Sequence, residues 1–186
     1  KIAVDKWHLV ALANQMVTEV RQRVTRDLLG RRGTVADPVW MNRGLLLTGA
    51  EHLSPRQWAR LHRMLDDHDP TKEIGAAWGV KERLHMLLAE SEPSRLRRRL
   101  ADFYDAAIDA QLPEATRLAE TIQTWWPAIL VALTEDASNP NGLLYRWTAP
   151  DSALPLRQGS FRKLADDAGT LEAMQEHNFT FTLRRG

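Results

Sequence analysis

The 186-residue sequence contains no cysteine. That excludes disulfides, thiolate metal sites and a cysteine nucleophile, and it fits a reducing, cytoplasmic setting. An excess of one charge is also lacking: 25 Lys and Arg stand against 24 Asp and Glu, for a formal net charge of +1. Free-standing nucleic-acid-binding domains usually carry a larger basic excess, so any such affinity must come from basic residues gathered on one face. Long apolar runs are missing as well. The longest, Trp125 to Leu133, is interrupted by Pro127 and is too short to span a bilayer, so no membrane partner is expected. The N-terminus has neither the basic leader nor the apolar stretch of a signal peptide. It has no initiator methionine either, and Lys1-Ile2-Ala3-Val4-Asp5 reads as the end of a strand. The expectation is a chain that opens in the middle of a fold. No internal repeat or low-complexity tract is present.

What the sequence does contain is helical periodicity, with an apolar fraction of 44% that suffices for a sizeable core. Val10, Ala13, Val17, Val20, Val24 and Leu28 recur at three- and four-residue spacing and predict one helix from Trp7 to Leu29, ended by Gly30 and Gly33. Trp40 to Thr48 is ambiguous, because its Leu45-Leu46-Leu47 run suits a buried strand or a short helix equally. Ser54-Pro55 is a helix start, a capping hydroxyl followed by a proline in the first turn. Trp58, Leu61 and Leu65 follow on one face, until Asp69-Pro70 breaks the run. A second helix from Thr71 carries Ile74, Ala77, Trp78, Leu84, Leu87 and Leu88. A third, from about Ser94, aligns Leu96, Leu100, Phe103 and Ala107. A fourth, from Pro113, aligns Leu118, Ile122, Trp125, Ile129 and Leu133 and is expected to kink at Pro127. Residues 54–133 should therefore form four helices.

Beyond Leu133 the character changes. Asn139-Pro140-Asn141-Gly142 is a turn, and Leu143 to Trp147 and Phe179 to Leu183 have the look of short strands. The chain divides into residues 1–137 and a compositionally different tail, 138–186.

Asp5 is the most informative polar residue. It follows an apolar strand and precedes an amphipathic helix, where α/β enzymes place catalytic groups; it is equally placed to cap that helix. Arg95, Arg97, Arg98 and Arg99 form the densest basic cluster and could contact phosphates, or form a solvated face balanced by Glu90, Glu92 and Asp102. His62 and His68 are not at helical metal-ligand spacing, and Asp66, Asp67 and Asp69 read as a solvated helix end. Of the seven tryptophans, Trp58, Trp78 and Trp125 fall on apolar stripes and read as core. Trp7 and His8, beside Asp5, could flank bound DNA or pack inside.

The segment Val4-Asp5-Lys6-Trp7-His8-Leu9-Val10, with Leu12-Ala13-Asn14 behind it, resembles the surroundings of the second catalytic Asp in ISL-three-type DDE transposases of bacterial insertion sequences. The similarity continues through Asn42-Arg43-Gly44-Leu45-Leu46-Leu47, Leu53-Ser54-Pro55 and the helices up to Trp125-Trp126. The resemblance implies a partial RNase H-like α/β core, made of the strand Ile2–Val4 and the helix after it, with a large helical insertion. The overall class is predominantly α, with short strands in the tail. It further implies DNA as partner, with a homodimer left open, and two Mg²⁺ or Mn²⁺ ions held by Asp, Asp and Glu. Hard divalent cations prefer such oxygen ligands, and a pair about 4 Å apart can clamp the attacking and leaving oxygens of a phosphodiester. Asp5 matches the second Asp, as catalytic residue and metal ligand. The first has no counterpart. Nor does the Glu, since Ser138-Asn139 leads to Pro140-Asn141-Gly142 instead of Glu-Gly. The expectation is a transposase fragment that binds no metal tightly and is inactive alone.

Two readings from other classes compete. Ile74-Gly75-Ala76-Ala77-Trp78-Gly79-Val80-Lys81-Glu82 also resembles a helix-turn-helix with its turn at Gly79, which would make the chain a non-catalytic DNA-binding regulator. Exposed Trp and Leu positions would alternatively suit a helical protein-interaction module.

Overall fold

The computed structural model describes residues 6–90, 92–134, 144–146 and 182–184. The described chain is predominantly helical. Helix α1 spans Lys6–Leu29 and buries Leu9, Ala13, Met16, Val17, Val20 and Val24, the stripe expected from spacing. Gly30 ends it at φ +64°, donating its N–H to the Arg26 carbonyl at 2.8 Å, a left-handed closure that glycine adopts without strain. The stripe stops one turn earlier than its spacing suggests. Leu28 is 46% exposed, and the last buried residue of the helix is Thr25.

The ambiguous segment is helical. Two short helices, α2 (Pro38–Met41) and α3 (Arg43–Leu47), meet at Asn42. The Asn42 side chain donates to the Pro38 carbonyl at 2.7 Å and fixes the bend. Of the three leucines only Leu46 is fully buried, as expected when a helix rather than a two-sided strand presents the run.

A 3₁₀ turn at Ala50–His52 leads to α4 (Pro55–His68). Ser54 and Gln57 form the reciprocal cap, Gln57 N–H donating to the Ser54 hydroxyl and Ser54 N–H to Gln57 Oε1 at 2.8 Å. The link to the next helix departs from expectation. Asp69 is fully buried, not solvated, and its carboxylate accepts the Gly75 N–H at 2.8 Å. It satisfies a first-turn donor of α5 (Glu73–Ala89), while Lys72 at φ 61° turns the chain inward. Asp66 and Asp67 do face solvent.

Helix α5 is the centre of the assembly. It buries Ile74, Ala77, Val80, Leu84, Leu87 and Leu88, distributed round much of its circumference, as a helix packed on several sides requires. It runs unbroken through Gly79, which corrects the helix-turn-helix reading. Val80, Leu84 and Leu87, which a recognition helix would have had to present to bases, lie in the core. Helices α6 (Pro93–Asp109) and α7 (Pro113–Thr134) complete the four-helix stretch. The α6 stripe Leu96, Leu100, Phe103 and Ala107 is buried as expected. In α7 the buried indole is Trp126, at 3% exposure, whereas Trp125 is only half-buried, like Trp58 and Trp78. Helix α7 continues through Pro127.

Helix α1 packs chiefly on α5 and also on α7, and α6 packs on both α5 and α7. Ion pairs fix the directions. Arg23 of α1 meets Glu73, at the start of α5, at 2.7 Å. It also meets Glu114, at the start of α7, at 2.7 Å. Arg117 of α7 then meets Glu19 of α1 at 2.7 Å, so the two helices run antiparallel. Arg23 holds the Glu114 carboxyl below its ordinary range, chiefly through its hydrogen bonds.

In the tail, β1 (Leu144–Arg146) pairs antiparallel with β2 (Thr182–Arg184), Tyr145 opposite Leu183. These lie within or overlap the two expected strands. The expected strand Ile2–Val4 falls outside the described residues. Among the described residues no helix is long and apolar enough to cross a membrane.

Candidate functional site

Asp5 also lies outside the described residues, which begin one position later with the first turn of α1. That turn presents Lys6, Trp7 and His8 to solvent, and core burial starts at Leu9. Trp7 is 74% exposed, and a cation, an indole and an imidazole follow one another in this exposed turn. This is a surface that can meet phosphates and bases.

The α6 arginines do not share one face. At 100° per residue, Arg95 and Arg99 flank one side of the Leu96–Leu100 stripe, Arg97 the other, and Arg98 points away from it. Arg95, Arg97 and Arg98 are exposed. Arg99 is turned back onto the protein, 3.6 Å from Glu90 and 3.9 Å from the Met86 sulfur. A phosphate approaching from one direction therefore meets two of the four at most.

The strongest concentration of buried charge lies elsewhere. Lys81 of α5 has no solvent exposure. Its ammonium donates to the Thr48 carbonyl at 2.8 Å and lies 2.6 Å from Glu82 Oε1. Glu82 Oε2 accepts the Ala50 N–H at 3.0 Å. Two adjacent residues of one helix thus hold both sides of the 48–52 segment, and Trp58 of α4 donates to the Ala50 carbonyl at 3.2 Å from the other side. Trp58 in turn stacks on His62 at 4.9 Å and meets Trp78 edge-on at 5.5 Å, which gives His62 a packing role. Burial lowers the Lys81 pKa, against the pull of Glu82. Burial, then the Lys81 charge, lowers that of His85.

Glu51, Glu82 and His85 bring potential ligand atoms within 4.8 Å of one another, a constellation that could hold a divalent ion. The cluster does not suit one. The Lys81 ammonium already lies against Glu82 and supplies the positive charge that a metal would bring. Both Glu82 oxygens also have neighbours in the 48–52 clamp. A hard cation would have to displace a buried ammonium to enter. The arrangement is a clamp between α5 and the loop preceding α4.

Sequence reading missed these residues, although a signal was available. Ala77, Lys81, Leu84 and Leu88 share the three- and four-residue spacing of a buried stripe, so Lys81 occupies a core position. Arg21 does the same between Val17 and Val24, and is only 7% exposed. A cation on an apolar stripe must find a counter-charge, a carbonyl or a ligand.

No curated protein and no solved structure matches the chain. A family model described as a transposase, of the DDE, ISL-three type, matches residues 1–142. That stretch takes in the Asp5 segment, every helix of the bundle and the clamp, and on this match the chain belongs to the ISL-three-type DDE transposase family.

Proposed function

We propose that the protein acts on DNA in the transposition of an insertion sequence, that residues 1–137 are its transposase unit, and that residues 138–186 are a separate appendage. The observation carrying this reading is the family match over residues 1–142, which includes Asp5 and the exposed Lys6-Trp7-His8 turn behind it. In this reading Asp5 is the family's second metal-binding Asp, and Trp7 and His8 border the DNA beside it. Arg95, Arg97 and Arg98 add phosphate contacts from α6, with Arg99 held back by Glu90.

The metal-dependent cut that the family implies needs three carboxylates at one point, for Mg²⁺ or Mn²⁺. Asp5 is the one with a counterpart in the sequence, and the Glu51–Glu82–His85 cluster cannot stand in for the others while Lys81 occupies it. We therefore propose that this 186-residue chain binds DNA without cutting it unaided. Binding without base readout should fall steeply with salt, because it is driven by counterion release from phosphates. The test is strand cleavage and joining on a duplex carrying an insertion-sequence end, with Mg²⁺ or Mn²⁺, beside a filter-binding titration over salt. The expected result is salt-sensitive binding and no product. Cleavage abolished by Asp5→Ala would overturn the inactivity, and failure to bind any DNA at low salt would overturn the DNA reading itself.

A further inference from the structure

A notch of about 490 Å³ opens between α1 and the α2–α3 bend, lined by Thr18, Arg21, Met41, Arg43, Gly44 and Leu47 among others. Its two charged linings are both arginines. Arg21 is only 7% exposed, yet among the described residues it makes no hydrogen bond or ion pair, in contrast to Arg23 half a turn away with its three carboxylates, Asp27, Glu73 and Glu114. Arg43 is stacked over the Trp40 ring at 3.6 Å and donates to the Trp40 carbonyl at 3.0 Å. It stands close enough to Arg21 for the two charges to repel.

Burial and the neighbouring Arg43 lower the Arg21 pKa, but a guanidinium does not escape this position by losing its proton, because it stays protonated in proteins. Lysine at a buried site can neutralise; arginine stays charged and pays the desolvation cost. Arg21 therefore holds a largely buried charge with no protein partner at the notch beside a second arginine, and an anion entering the notch would neutralise both. The planar fork of Arg21 offers paired N–H donors suited to the oxygens of a phosphoryl group. The apolar side chains of Met41 and Leu47 border the notch and offer an anion there no competing donor or charge.

We propose that Arg21 and Arg43 form a seat for a phosphoryl oxyanion. Resting on the transposase reading, the occupant is a backbone phosphate of duplex DNA. Arg21 lies about 22 Å along the helix axis from Lys6, at 1.5 Å per residue, or about six to seven nucleotides of one strand at 3.4 Å each. A duplex lying along α1 from its exposed first turn would bring a phosphate to the notch.

The test uses the whole chain and three variants: Arg21→Met, Arg43→Gln and, as a control on an exposed face of α4, Arg60→Met. Thermal denaturation is followed with inorganic phosphate against chloride at matched ionic strength. Binding of a 20-base-pair duplex is titrated over salt. Wild type and Arg60→Met should gain stability in phosphate. Arg21→Met should be more stable than wild type in chloride and gain nothing from phosphate, a combination that a merely structural arginine would not give. In the DNA arm, Arg21→Met should weaken binding about tenfold and reduce the salt slope by about one. Arg43→Gln, altered at an exposed residue, should lose part of both responses and covers the case in which Arg21→Met folds poorly.

If DNA binds wild type and both variants alike, and phosphate stabilises none of them, the seat is refuted and the transposase reading stands. If wild type binds no DNA while phosphate still stabilises it through Arg21, the seat stands as one for free phosphate and the DNA reading falls.

Discussion

Replacing Lys81 by methionine removes a fully buried ammonium and keeps most of its volume, so the effect isolates the charge. The Glu82 carboxylate, 5% exposed, would keep the Ala50 N–H but lose its counter-charge, and the Thr48 carbonyl would lose its donor. Breaking a buried ion pair from one side costs about 3–5 kcal/mol. In a chain of this size 1 kcal/mol moves the midpoint by about 2–4 °C, so Lys81→Met should lower Tm by about 6–20 °C. Removing both charges behaves differently. Lys81→Met with Glu82→Leu leaves no buried ion in the clamp, only the Thr48 carbonyl and Ala50 N–H to be satisfied, and should be less damaging than Lys81→Met alone. The double-mutant cycle should then show a coupling of about 1–3 kcal/mol. Urea unfolding followed by tryptophan fluorescence reads this directly, since Trp58 donates to the same segment. A loss below about 1 kcal/mol for Lys81→Met, as an exposed pair would give, or strict additivity in the cycle would refute the buried clamp.

Gly79→Ala should stabilise the protein by about 0.5–1 kcal/mol, because the site is mid-helix and an added Cβ meets only Arg83 Nη1 at 3.7 Å; destabilisation in urea titrations would revive a turn there. Arg23→Ala should cost about 1–3 kcal/mol in the same titration, since it unties α1 from the starts of both α5 and α7, and Glu114→Gln on that background should cost little more. Acidification should act in two windows: the lowered His85 pKa favours the neutral ring in the fold, so its contribution is complete above about pH 6.5 and fades as pH falls below it. The lowered Glu114 pKa favours the carboxylate, so its contribution is lost only below about pH 4.5; His85→Gln should flatten the first window of a Tm-against-pH series and leave the second.

Most of the fold was legible because its helices are amphipathic and punctuated. The α6 stripe and the Ser54–Gln57 cap could be placed from spacing and side-chain chemistry alone. The misses share a cause, which is that one-dimensional patterns report apolar faces and say little about which polar side chain is drawn inside. Asp69 looked like part of an acidic, solvated end, but a tight turn carries it under the next helix to meet the Gly75 N–H. Gly79 looked like a turn because glycine is permissive, yet the burial of Val80, Leu84 and Leu87 on neighbours holds the helix straight through it. Trp126 rather than Trp125 is the buried indole, a one-residue rotation that periodicity cannot settle when both neighbours are tryptophan. For the proposed site, Asp5 stood out by its place between a strand-like segment and a helix and took its role from the family resemblance, whereas Arg21 was concealed among the valines of α1.

The two arginines of α1 show how the same residue type serves opposite ends. Arg23 spends its donors on Glu73 and Glu114 and is held to both, so it fixes where α1 lies against α5 and α7. Arg21, on the opposite side of the helix, has no such partner and borders a notch with Arg43. Had stability alone shaped this helix, an apolar side chain at position 21 would serve better, because replacing an unpaired buried charge removes a desolvation cost without breaking a bond. The notch gives that cost a purpose that can be measured: a helix pinned by Arg23 presents Arg21 at a fixed place, and a preorganised cation binds an anion without first having to be ordered. Loosening the pin should therefore weaken the seat. Arg23→Ala, measured well below its midpoint where it remains folded, should show a smaller stabilisation by phosphate than wild type, and an undiminished response would mean that the notch does not depend on how α1 is anchored.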